Sequence, residues 1–345
     1  MNARRSSLVA LTATLFISFL GGPANEPVAY PITPVPLWGL IEEADLVVLA
    51  DVADVTEAAE TGGTSLRDAP SASRIGGPGS IAHLRVREVW KGEAPGVVRV
   101  EFDPNYLCPV PPRYVAGKTV VAFLTGEEGT WATVALSYGT HYPAQGEIGD
   151  YWDRVREAVT LMSRPPVPEA ERLDWLVRAA SRRATRWDGL YELMPRGDSL
   201  HSSYDQKLDG RVGNAQLTDT QYQTLAMGFV EQPSVDRTLP MVLALFAGRP
   251  HHALDRAAIA ALEGVLLRDQ PPWWIGEAMG LLLQRLGDPA PEARLAPLGD
   301  TFADKDMRLV REIWSRAKAD LGLPEVPAVQ GIPVEVWGVG SNTPS

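Results

Sequence analysis

Several groups of side chains in this sequence are of types that could do chemistry. Asp51, Asp54 and Glu101 are carboxylates in strand-like surroundings, the residues a hydrolase would use as general acid and base, and they converge only if the fold makes them. His251-His252 with Asp255 offers metal-ligand types, but adjacent side chains diverge and no third ligand stands at a defining spacing, so no metal site is expected. Cys108 is the only cysteine, with no histidine near it in sequence, and reads as a buried, inert thiol. Arg178, Arg182, Arg183 and Arg186 make a basic face suited to a phosphate or carboxylate, although charges on the outer side of a helix are ordinarily just solvated. Gly76-Gly77-Pro78-Gly79 has the glycine density of a phosphate loop without the lysine and helix that should follow. Trp273-Trp274 reads as a helix start with one ring buried rather than as a sugar platform, and Arg196-Gly197-Asp198 is a chance match to an adhesion tripeptide. No residue is assigned a catalytic, cofactor-binding or metal-ligating role, and no cofactor is expected.

These residues have to be positioned by two kinds of element. In residues 80–102 the sequence reads strand, turn, strand. Ala82, Leu84 and Val86 alternate with His83, Arg85 and Arg87, and after Arg87 the phase slips so that Glu88 takes an apolar slot, which predicts a bulge there. Val98, Val100 and Phe102 form the return strand, with Phe102 expected in the core. Residues 46–50 and 119–124 are apolar on both faces, and a further strand is expected over residues 131–136. Five strands, the longest first and preceded by a helix at residues 37–43, predict a small Greek-key barrel of the OB type that closes with a helix at 148–162 and folds on its own over residues 36–164.

From residue 165 to 322 the pattern becomes helix after helix. Breaks fall at Pro233, Pro250, Pro271 and Pro289, and alternate breaks are 38 and 39 residues apart, close to the helix-pair period of HEAT-like arrays; an irregular bundle is the other reading. The predicted fold is therefore α+β: a five-stranded OB-type barrel followed by an all-α array, ending in a Pro/Gly-rich tail at 323–345. Residues 197–216 form a polar loop inside the array that is a candidate recognition element.

Residues 1–24 have the layout of a secretory signal: Arg4 and Arg5, an apolar run over residues 8–20, and Gly21-Gly22-Pro23-Ala24 before the expected cut. That predicts an extracytoplasmic chain, secreted or periplasmic, starting at Asn25 with a Pro-rich linker at 25–35 and no stable membrane anchor. The formal net charge of -11 disfavours nucleic acid as a partner.

Ala44-Asp45-Leu46-Val47-Val48 after a helix, Val86 to Val89 followed by Trp90-Lys91-Gly92, and Cys108 ahead of Gly117-Lys118 together resemble the netrin-like module shared with tissue inhibitors of metalloproteinases. The resemblance covers about a third of the chain and implies an OB-type barrel. Those inhibitors place a disulfide-bonded N-terminal cysteine on a protease zinc; here Asn25 stands at the expected start and the partner cysteines are missing, so the inhibitory chemistry does not carry over with the fold. The readings, in order, are a non-catalytic module that binds another extracytoplasmic protein, an extracytoplasmic enzyme whose acids assemble in the fold, and an inhibitor-like protein.

Overall fold

A computed structural model describes residues 35–57, 79–104, 110–127, 129–194, 216–298 and 307–330. The expected signal, the linker up to residue 34, Cys108, Arg196-Gly197-Asp198, residues 197–215 of the expected polar loop, and the tail beyond 330 lie outside these residues.

The N-terminal part is a closed five-stranded barrel. Strand β1 (Leu46–Glu57) pairs antiparallel with β2 (Ser80–Lys91) on one edge and with β4 (Thr119–Glu127) on the other. Strand β3 (Val97–Phe102) continues from β2, and β5 (Thr130–Thr133) closes the ring, antiparallel to β4 and parallel to β3 at Val100 and Trp131. This order, with its single parallel contact, is OB-like. A two-residue strand, β6 (Thr140–His141), adds to β4.

The bulge falls where the phase slip places it. Leu49 faces Glu88 and Ala50 faces Val86, which leaves Arg87 as the extra residue. Two further irregularities were not legible, at Trp90 and at Ala53. The expected strand over 131–136 stops at Thr133; Ala135 and Leu136 adopt left-handed φ of 48° and 56°, and a 3-10 turn follows at Leu136–Gly139. Phe102 is half-buried rather than core, because β5 accompanies β3 only at Val100; its ring meets Tyr114 edge-on at 5.2 Å.

Strands apolar on both faces have two cores to fill. Leu46, Val48, Ala50, Val120, Ala122 and Leu124 point into the barrel with Leu84, Val98 and Val100. Val47, Leu49, Val121 and Phe123 point outward and join a second core with helix α1 (Leu37–Glu43) and helix α2 (Ile148–Met162). That second core runs on without a break into the helices beyond residue 164. Trp38 of α1 packs edge-on against Trp175 of α3 (Glu169–Ser181) at 5.1 Å, and the Leu37 N–H donates to Asp188 of α4 (Arg186–Leu193) at 2.9 Å.

The helices stack in two layers. In one, α3 packs on α5 (Asp219–Glu231), which packs on α7 (His252–Val265); in the other, α4 packs on α6 (Thr238–Leu245), which packs on α8 (Ile275–Arg285). Helices α3 and α5 run parallel: Gln221 of α5 donates to Asp174 of α3 at 2.7 Å, and seven residues on in both helices Gly228 meets Ser181. Gly228 is required there, since a Cβ would sit 2.2 Å from the Ser181 carbonyl oxygen. Helices α9 (Pro291–Leu295) and α10 (Met307–Leu321) follow, and residues 323–330 return as a strap that meets α7 at Val329. Among the described residues no helix is long and apolar enough to cross a membrane.

Candidate functional site

The seam between barrel and helices concentrates the buried titratable groups. Asp188 is 3% exposed and caps the N-terminus of α1 by accepting from the Leu37 N–H. Burial pushes its carboxyl up to about 7, against the pull of that hydrogen bond and of the Arg237 guanidinium. Arg237 lies 4.5 Å over the Trp187 ring, which stacks on Tyr138 on the barrel side. His141, from β6, shares a 3.2 Å hydrogen bond with the Tyr151 hydroxyl, and burial lowers its pKa to about 4, opposed by a hydrogen bond to the Tyr138 backbone. Tyr151 is raised well above the usual phenol range, first by burial and then by the Asp188 charge. These groups hold strand to helix through their own bonds and ring contacts. None of them lines the groove described below.

The acids singled out in the sequence do not converge. Asp51 accepts from Arg87 and from Thr119, Asp54 pairs with His83, and Glu101 pairs with Arg99. Each is a cross-strand or same-strand polar pair on the outside of the barrel. His251 and His252 part company: the His251 ring caps α7 by accepting from the Leu254 N–H at 3.1 Å, while Asp255 accepts from Arg285 at 2.6 Å. Among the described residues no cluster of three or more metal-ligating side chains is present. Trp274 is buried and Trp273 is 55% exposed, the one-ring arrangement expected.

The four arginines part company: Arg178 and Arg182 stay about half-exposed, as the solvated reading expects, and Arg186 does not. Arg186 is fully buried and donates to the carbonyls of Ala180, Gly228 and Gln232 and to the Ser234 hydroxyl, which gathers the C-terminal ends of α3 and α5 on one guanidinium. Helix C-termini leave carbonyls unpaired and carry partial negative charge, so this cation is satisfied without a carboxylate in contact. Burial still lowers its pKa, to about 10. Arg178 and Arg183 pair with Glu157 and Glu147 of the segment leading into and along α2, and Arg182, half-exposed, stands 4.0 Å from Asp150. Arg285 and Arg311 repeat the device, donating to Phe246 and Arg249 and to Leu266 and Arg268 respectively. Periodicity cannot announce such a role, because all the acceptors but Ala180 lie dozens of residues away in sequence.

An open groove of about 580 Å³ follows the solvent side of α5 where it meets the end of α3. Asp219, Gln223, Met227 and Glu231 recur at every fourth position and so line one wall, and Ser181 and Arg182 form the other. The Gly228–Ser181 approach makes the floor. Met227 is 41% exposed, and Asp219 keeps its side chain 98% exposed although Arg249 stands 3.2 Å from it. Carboxylates, hydroxyls, an amide and one thioether give a surface that can hydrogen-bond and cover an apolar side chain. They supply no nucleophile with a base beside it. Comparison of the chain with models of protein families, with characterised proteins and with solved structures finds no match.

Proposed function

We propose that this chain is a non-catalytic protein-binding module that works outside the cytoplasm. The observation that carries the reading is the two-layered helix stack, pinned by buried arginines, whose α3–α5 groove is left open to solvent. Stacked helix pairs present extended surfaces suited to other polypeptides, and the α3–α5–α7 and α4–α6–α8 layering supports a HEAT-like relation. On the other side the OB-like barrel supports the netrin-like resemblance, with the seam fixing barrel and stack as one platform. The reading of residues 1–24 as a secretory signal supports the address. The test is to purify the chain from residue 25 onward, immobilise it, and pass over it the secreted and envelope fractions of its own cell. A saturable, stoichiometric protein partner is expected; recovery of none, together with turnover in a hydrolase substrate panel, would reverse the ranking of binding over catalysis.

A further inference from the structure

We propose that the α3–α5 groove receives an extended peptide of that partner in which a lysine or arginine stands three or four residues from an apolar side chain. This rests on the protein-binding reading and gives it a sequence code.

The code follows from the spacing of the wall. At the N-terminal end of α5 the Asp219 carboxylate is almost wholly exposed, and Asp174, held by Gln221, adds a second acid at that end. Eight positions on, Met227 offers the exposed apolar surface of the groove. Eight residues of helix rise ~12 Å, which an extended peptide covers in between three and four residues at ~3.3 Å each. Past Met227, Arg182 and Glu231 provide a donor and an acceptor for peptide backbone. A cation at one end and an apolar side chain at the other is the complement of this surface, and Arg249, already beside Asp219, would share that carboxylate with it.

The same helix layer already accepts backbone from a non-helical segment at one point. Residues 323–330 leave the end of α10, where Glu325 pairs with Lys318, and reach α7 at Val329, whose N–H donates to the Ala260 carbonyl at 2.9 Å, with Leu323, Val326 and Val329 packed on the core.

The test uses fluorescein-labelled hexapeptides, Lys-Ala-Ala-Leu-Ala-Ala and its counterpart beginning with Glu, titrated with the full chain at low ionic strength and read by polarisation. The lysine peptide should bind, and Asp219→Lys should weaken it by about tenfold or more while gaining the glutamate peptide. Met227→Asp should weaken the lysine peptide despite adding negative charge, and Asp269→Lys, on an exposed turn away from the groove, should change little. Equal weakening by Asp269→Lys would mean mere attraction to an acidic protein, and an unaffected Asp219→Lys would place binding elsewhere; either overturns the proposal. If a partner is captured equally well by Met227→Asp, the groove assignment fails and the binding reading stands. If no partner is captured at all, the binding reading fails and the peptide titrations still decide the groove.

Discussion

Asp188 and His141 should give the protein two opposite pH dependences that hide each other. The buried Asp188 carboxyl has its pKa raised from 3.8 to about 7, so it contributes stability that is fully present below pH ~4 and is lost as pH rises toward 7. His141 is depressed from 6.5 to about 4, so the folded chain binds fewer protons than the unfolded one between those values, and stability is lost as pH falls from 6.5 toward 4. Each contributes a slope of up to ~1.4 kcal/mol per pH unit, with opposite sign, across roughly pH 4 to 6.5. Asp188→Asn keeps an oxygen to accept the Leu37 N–H and removes the charge. Urea unfolding followed by tryptophan fluorescence should then show the variant gaining on the parent by ~3 kcal/mol between about pH 5 and 7.5. His141→Gln should gain on the parent in the other direction, by ~2 kcal/mol from about pH 6.5 down to 5. A difference curve flat with pH for Asp188→Asn would refute the reasoning, since it would mean that Arg237 holds the carboxylate charged at no cost.

Other perturbations follow from the packing. Arg186→Met should lower stability by ~3–5 kcal/mol in calorimetry, because the collected carbonyls of α3 and α5 lose their shared donor, and Arg186→Lys should rescue only part of it since an ammonium cannot span four acceptors. Gly264→Ala should destabilise by ~1–3 kcal/mol and speed proteolysis within residues 323–330, as the new Cβ would lie 2.2 Å from the Val329 carbonyl oxygen; unchanged protection would count against the strap. The fragment 36–164 should melt well below the whole chain, because α1 loses Trp175 and Asp188; a fragment extended to residue 194 should recover much of the difference, and equal melting of the two would show that the barrel needs no helical cover.

The barrel was legible because strands write their faces into the sequence with a period of two, and even the bulge at Arg87 shows as a slip of that period. Residues 46–50 and 119–124 also disclosed that both faces are buried, but not what covers the outer one. The boundaries between the later helices were legible from the proline breaks at 233, 250, 271 and 289. What escaped was everything decided by distant backbone. Arg186 looks like its neighbours on a helical wheel, yet its acceptors are carbonyls of residues 180, 228 and 232. Asp188 and His141 carried no motif, since their roles consist of a helix N-terminus and a tyrosine brought from other elements. The groove was invisible for the same reason: its walls come from α3 and α5, between which the whole of α4 intervenes in sequence.

The strap across α7 also sets an order of events during synthesis. Ala260 and Gly264 leave the ribosome dozens of residues ahead of Val329, which at ~5–20 residues per second leaves α7 uncovered for several seconds. Through that interval the helix presents the bare glycine backbone and carbonyl edge on which an extended chain docks, to any neighbouring nascent chain as readily as to its own. Ribosomes spaced closely on one message would therefore favour strap exchange between copies, and slowing initiation should raise the monomer yield.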